Sequence, residues 1–168
     1  MDTTLRQLVK TVLDANDNVY PDQVGYDIAT GVCFWVAENT RSQEPVIDLV
    51  VVSEGWDIEE FEEGFLHAKE GILTFVEGLT KNSENVGEVL ISSTDTMTVV
   101  VKRILKLHGA TYDVVGNEIS KMVLGYLTGY LTFYKDNENC CETHSESFVA
   151  GIETATSNVI QICRAYIY

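Results

Sequence analysis

The chain has 168 residues, 45% of them hydrophobic, which is enough for one domain with a real core, since a domain near 150 residues buries roughly 70% of the surface it exposes when unfolded. It carries 26 acidic and 11 basic residues for a formal net charge of −15, and 14 of the acids against three bases (Arg41, Lys69, Lys81) lie between Glu38 and Asp95. A field of that sign repels nucleic acid and draws in basic surfaces, and the abundance of Val, Ile, Leu and Phe argues against disorder.

The opening residues show no basic stretch followed by a continuous apolar run, so no secretory signal is expected. The longest nearly apolar stretch, Met122 to Tyr134, is 13 residues, short of the roughly 20 that cross a bilayer. The four cysteines, Cys33, Cys140, Cys141 and Cys163, have no framework spacing, and the adjacent pair cannot bridge without strain. Reduced thiols in a cytoplasmic setting are the expectation, with a bridge from Cys140 or Cys141 to Cys163 as the alternative.

In chain order, Leu5, Leu8, Val9, Val12 and Leu13 mark one face of an amphipathic helix that stops at Asn16-Asp17-Asn18 before Pro21. Two runs dense in β-branched and aromatic residues follow, Gly31 to Ala37 and Pro45 to Val52, joined by the polar Asn39 to Glu44. They read as a β-hairpin, with a helix as the rival for Val24 to Ala37. Asp57 then caps a second helix with Glu60 at the capping-box position, and Ile58, Phe61, Phe65, Ile72, Val76 and Leu79 form its apolar face to about Thr80. Beyond a loop at 81–85, Val86 to Ile91 and Thr96 to Lys102 read as a second hairpin through Ser92-Ser93-Thr94-Asp95, against a helix from Thr96 to Leu107.

Gly109 ends that element, and Asp113 can cap a long helix running to about Tyr134. Gly125 and Gly129 lie four apart on it, which suggests close approach of the last helix, or less simply a symmetric contact between two copies in a homodimer. A polar loop from Asp136 to Glu142 leads to the capping box Thr143-x-x-Glu146 and a final helix with a stripe of Phe148, Val149, Ile152, Val159, Ile160 and Cys163. The whole is expected to be a single α+β domain over residues 1–168, its largely antiparallel sheet built from two hairpins packed against four helices, with an all-α bundle as the alternative.

No Gly-x-Ser-x-Gly, Walker loop, His-Glu-x-x-His, Cys-x-x-Cys or Gly-x-Gly-x-x-Gly occurs, so no catalytic residue and no cofactor is assigned. Two partial metal-ligand sets stand out. Glu63, His67 and Glu70 project from one side of the second helix, and Cys140, Cys141 and His144 cluster in a loop, but neither has the ligand count or spacing of a known site, so no metal is assigned either. Asp14, Asn16 and Asn18 alternate as in a calcium loop that lacks its later positions. The basic cluster Lys102, Arg103, Lys106 and His108 is too small to bind nucleic acid in this field and is expected to pair with the acidic helix. The leading expectation is an acidic interaction protein that engages a basic surface of a partner through Glu59, Glu60, Glu62, Glu63 and Glu70, with imitation of a nucleic-acid backbone as its sharpest form. One alternative is a chaperone or scaffold that grips its client through Trp35, Trp56 or Tyr166 to Tyr168. The other is a metal- or small-ligand-binding enzyme or sensor, which requires a pocket near Glu63 and His67.

Overall fold

The computed structural model describes residues 3–47, 52–81, 86, 89–110, 114–139 and 144–167. Among the described residues the fold is all-α, with six main helices; 79% of these residues are helical and none is in a strand. The helices are α1 Thr3–Ala15, α2 Asp22–Ser42, α3 Ile58–Leu79, α4 Met97–Leu107, α5 Val114–Asn139 and α6 Glu146–Ile167. The α+β expectation is therefore overturned in favour of the all-α alternative, and both hairpins are withdrawn.

The reason lies in α2. It touches all five other helices, and its residues from Val24 to Ala37 are buried except for the half-buried Phe34. A helix surrounded on every side is apolar on every side, so it carries no 3.6-residue alternation and its β-branched and aromatic content reads as strand. The second half of the expected hairpin, 45–52, includes residues 48–51 that lie outside the described set.

The supposed strand from Thr96 is the start of α4. Thr96 caps it, its hydroxyl accepting from the Val99 amide at 3.3 Å. Its buried residues, Met97, Val100, Val101, Ile104 and Leu105, follow helical spacing. Its presumed partner, Val86 to Ile91, is irregular at 89–91, and residues 87–88 lie outside the described set. The connection is pinned instead by Trp35, whose indole N–H donates to the Asp95 carbonyl at 2.8 Å.

The expected helices at both ends and over Ile58 to Thr80 form as read. Asp57 caps α3, accepting from the Glu60 amide at 2.9 Å. Ser145 caps α6 by accepting from the Phe148 amide at 3.2 Å, whereas Thr143 and the Asp113 cap lie outside the described residues. α5 runs to Asn139, one turn further than its apolar pattern suggests.

Close helix approach occurs at glycines other than those expected. Gly125 and Gly129 are exposed, and a Cβ on either would meet nothing within 4 Å. A Cβ on Gly64 would instead lie 2.0 Å from the Phe148 carbonyl oxygen, and one on Gly151 would lie 2.1 Å from that of Phe61. α3 and α6 thus cross backbone to backbone and share the most extensive helix interface in the fold. They run parallel: Asp57 meets Ser147, and Phe65 and Ala68 pack with Ile152 and Ala155. α5 returns antiparallel to α6, with Thr128 hydrogen-bonded to Cys163. The larger core is built by α1, α2, α4, α5 and the far half of α6, with α3 contributing Ile72, Val76 and Leu79.

Candidate functional site

α3 and α5 both rest on α6 and face each other across an open cleft of about 620 Å³. From α3 it is lined by His67, Glu70, Gly71, Thr74 and Phe75, whose spacing puts them on one helix face, and from α5 by Tyr130, Tyr134 and Glu138, four residues apart. Phe75 stacks on Tyr130 with ring centroids 3.5 Å apart and planes 8° from parallel. Tyr134 follows Tyr130 along the wall, and Gly71 leaves it room: a Cβ there would sit 2.9 Å from the tyrosine hydroxyl. Burial, then the negative charge of Glu138 and the neighbouring Tyr130, push the Tyr134 hydroxyl up to about 12. It therefore stays a neutral hydrogen-bond donor throughout the physiological range.

At one end of the cleft His67 and Glu138 of its walls meet His144. The Glu138 Oε2 lies 2.9 Å from His144 Nε2 and 3.9 Å from His67 Nε2, and one ligand atom from each of the three residues lies within 4.8 Å of the others. Both imidazoles pack against Phe148, His144 stacked at 4.5 Å and His67 tilted at 5.4 Å. The Glu138 and His144 side chains are 22% and 19% exposed, whereas that of His67 is 48% exposed.

Of the residues singled out in the sequence, the cluster takes one from each partial set. His67 joins it without Glu63, while Glu70 stands in the cleft wall. His144 joins it, and Cys140 and Cys141 lie outside the described residues. Glu138 escapes sequence reading because it falls in what reads as loop; the additional turn of α5 puts it in line with Tyr130 and Tyr134. Its six-residue spacing to His144 matches no ligand motif.

The acidic residues of α3 divide. Glu59, Glu63, Glu70 and Glu77 are exposed along one side, Glu62 is half-buried, and Glu60 accepts a hydrogen bond from the Ser145 hydroxyl at 3.0 Å. Glu77 is paired with Arg41, which also holds Glu38. The only base within α3, Lys69, donates to the Gln43 carbonyl at 2.8 Å.

Two members of the α4 basic cluster pair away from this helix. Arg103 pairs with Asp95 at 2.5 Å and His108 with the fully buried Asp27 at 2.8 Å. The Asn16 side chain fastens α1 to Glu118 of α5 at 2.9 Å. Of the candidate aromatic anchors, Trp35 is buried with the half-buried Tyr166 edge-on to it, and the half-buried Trp56 stacks on Phe61, while Tyr168 lies outside the described residues. Cys33 and Cys163 are both buried, and Cys163 is a thiol, so the alternative bridge to Cys163 is not formed. Among the described residues no helix is long and apolar enough to cross a membrane. No protein-family model, curated protein or solved structure matches the chain.

Proposed function

We propose that this is an acidic interaction protein whose α3 face and adjoining cleft receive a basic segment of a partner protein. The observation that carries the reading is the exposure of Glu59, Glu63 and Glu70 along one side of α3, beside a cleft lined by Glu70, Glu138 and three aromatic rings and by no Lys or Arg. Carboxylates beside aromatic faces recognise ammonium and guanidinium groups through charge and cation–π attraction, each aromatic contact contributing about 0.5–1 kcal/mol when exposed.

Spacing separates a basic protein surface from strict nucleic-acid imitation. At 1.5 Å rise per residue the exposed carboxylates stand about 6 Å and then about 10.5 Å apart. A nucleic-acid strand presents a charge every 3.4 Å or so along its axis, so the helix matches only about every second or third phosphate. A partner that reads a few cations in register fits better than one that tracks a continuous backbone.

The test is fluorescence anisotropy with a labelled Lys/Arg-rich peptide. Binding should be lost when Glu59, Glu63 and Glu70 are changed together to Lys, and retained when the equally exposed Asp14, Asp17 and Asp22 are. It should also fall as salt rises toward about 1 M, where the screening length is roughly 3 Å. Equal loss in both triple variants would reduce the acidity to general solubility.

A further inference from the structure

We propose that His67, Glu138 and His144 form a binding site for a divalent first-row transition metal, with zinc the ion that suits the donors best. Three segments supply the ligands: the middle of α3, the last turn of α5 and the residue two before α6. Two imidazoles and one carboxylate are a donor set shared by zinc and iron sites, with soft thiolates unnecessary and an all-oxygen ion such as calcium or magnesium disfavoured.

The distances leave little to rearrange. Zinc bonds of about 2.0–2.2 Å in tetrahedral geometry hold neighbouring donors about 3.3 Å apart. The Glu138–His144 pair at 2.9 Å opens slightly around an ion. The His67–Glu138 pair at 3.9 Å closes by a little over half an ångström. The remaining His67–His144 separation, no more than 4.8 Å, closes through a small turn of His67, the more exposed of the two imidazoles. Phe148 buttresses both rings, which limits the rotamers lost on binding. With His67 on the solvent side, a fourth position remains open to water or to a donor arriving from the cleft, the arrangement of three-ligand zinc sites. The site shares His67 and Glu138 with the cleft of the basic-segment reading, but that reading is tested at Glu59, Glu63 and Glu70, so the two can fail separately.

The test is isothermal titration of the full chain, stripped with chelator, against zinc chloride, together with the visible spectrum of the cobalt-loaded protein. The expected result is one ion per chain and a cobalt spectrum of tetrahedral intensity. Affinity should fall by about a hundredfold or more in H67A, E138Q and H144A, since even outer partners of a ligand carry roughly 10–100-fold. E63Q and the double variant C140S/C141S should bind as the parent does. E138Q is nearly isosteric, so it separates ligand loss from misfolding, and circular dichroism checks each variant. Absence of saturable binding in the parent would overturn the proposal, as would unchanged affinity in E138Q and H67A, or loss confined to C140S/C141S.

Discussion

Replacing Gly64 with alanine puts a methyl group 2.0 Å from the Phe148 carbonyl oxygen and 2.8 Å from its carbonyl carbon. Both are backbone atoms of α6, so no rotamer change relieves the contact and the two helices must separate. Overpacking a close-packed site costs about 1–3 kcal/mol, and more where backbone has to move. Alanine recovers roughly 1 kcal/mol of helix propensity over glycine. The net loss should be about 2 kcal/mol or more, which for a chain of this length lowers Tm by roughly 4–8 °C. Gly125→Ala supplies the contrast on an exposed helix position with nothing within 4 Å. There only the propensity gain and the smaller unfolded-state entropy operate, for a stabilisation of about 0.4–1 kcal/mol. Urea denaturation followed by circular dichroism measures both, and Gly64→Ala with Gly151→Ala should be non-additive because the two share one crossing. A Gly64→Ala protein as stable as the parent would show that α3 and α6 do not meet through these glycines.

Asp27 is fully buried, its carboxylate accepting from Gln23 at 2.9 Å and facing His108 at 2.8 Å. Asp27→Ala leaves both partners without it and should cost about 3 kcal/mol in the same denaturation assay. Alkaline pH should destabilise the fold. Burial raises the Cys163 thiol from 9.0 to about 12, against a weaker opposing hydrogen bond to Thr128, and Tyr134 rises from 10.0 to about 12. Between the unfolded and folded values the unfolded chain holds fewer protons than the native one, so unfolding free energy falls as pH rises from about 9 toward about 12. Cys163→Ser should flatten the lower part of that fall; a slope unchanged by the substitution would remove the thiol from the account. At the acid end, the hydrogen bond from the Ser92 amide, foremost, holds the Asp95 carboxyl below its usual 3.8; burial opposes it, and the Arg103 guanidinium adds to the lowering. Stability from this group is present above the ordinary carboxylate range and lost as pH falls through its lowered value, and Asp95→Asn should show a shallower acid transition by circular dichroism.

The elements readable from sequence are those with one face in the core and one in water. α1, α3 and α6 announce themselves by apolar residues three and four apart, and α3 also by Asp57 at its start. α5 is legible as far as Tyr134, where its apolar face gives way to Lys135, Asp136, Asn137 and Glu138, residues that read as loop yet continue the helix. α2 reads as strand because Val, Ile, Cys, Phe and Trp pack equally well in any buried position, and local pattern carries no period once a helix is enclosed. α4 is the exception among the two-faced helices: its buried Met97, Val100, Val101, Ile104 and Leu105 keep helical spacing, but the β-branched run Thr98 to Val101 at its start reads as strand.

The chemistry of the candidate site was half visible in the same way. His67 and His144 stand out as residue types, but their distance in the chain assigns each to a different neighbourhood, and Glu138 belongs to neither. Composition and charge alone settle that the chain can bury a core, that it presents strong negative charge, and that four amphipathic stretches form helices, because these depend on residue type and on spacing within a few turns. The placement of α2 at the centre, the Gly64–Gly151 crossing and the meeting of two histidines with a carboxylate depend on how helices far apart in the chain pack against each other. Close packing satisfies all of those contacts at once, and no single segment encodes any of them.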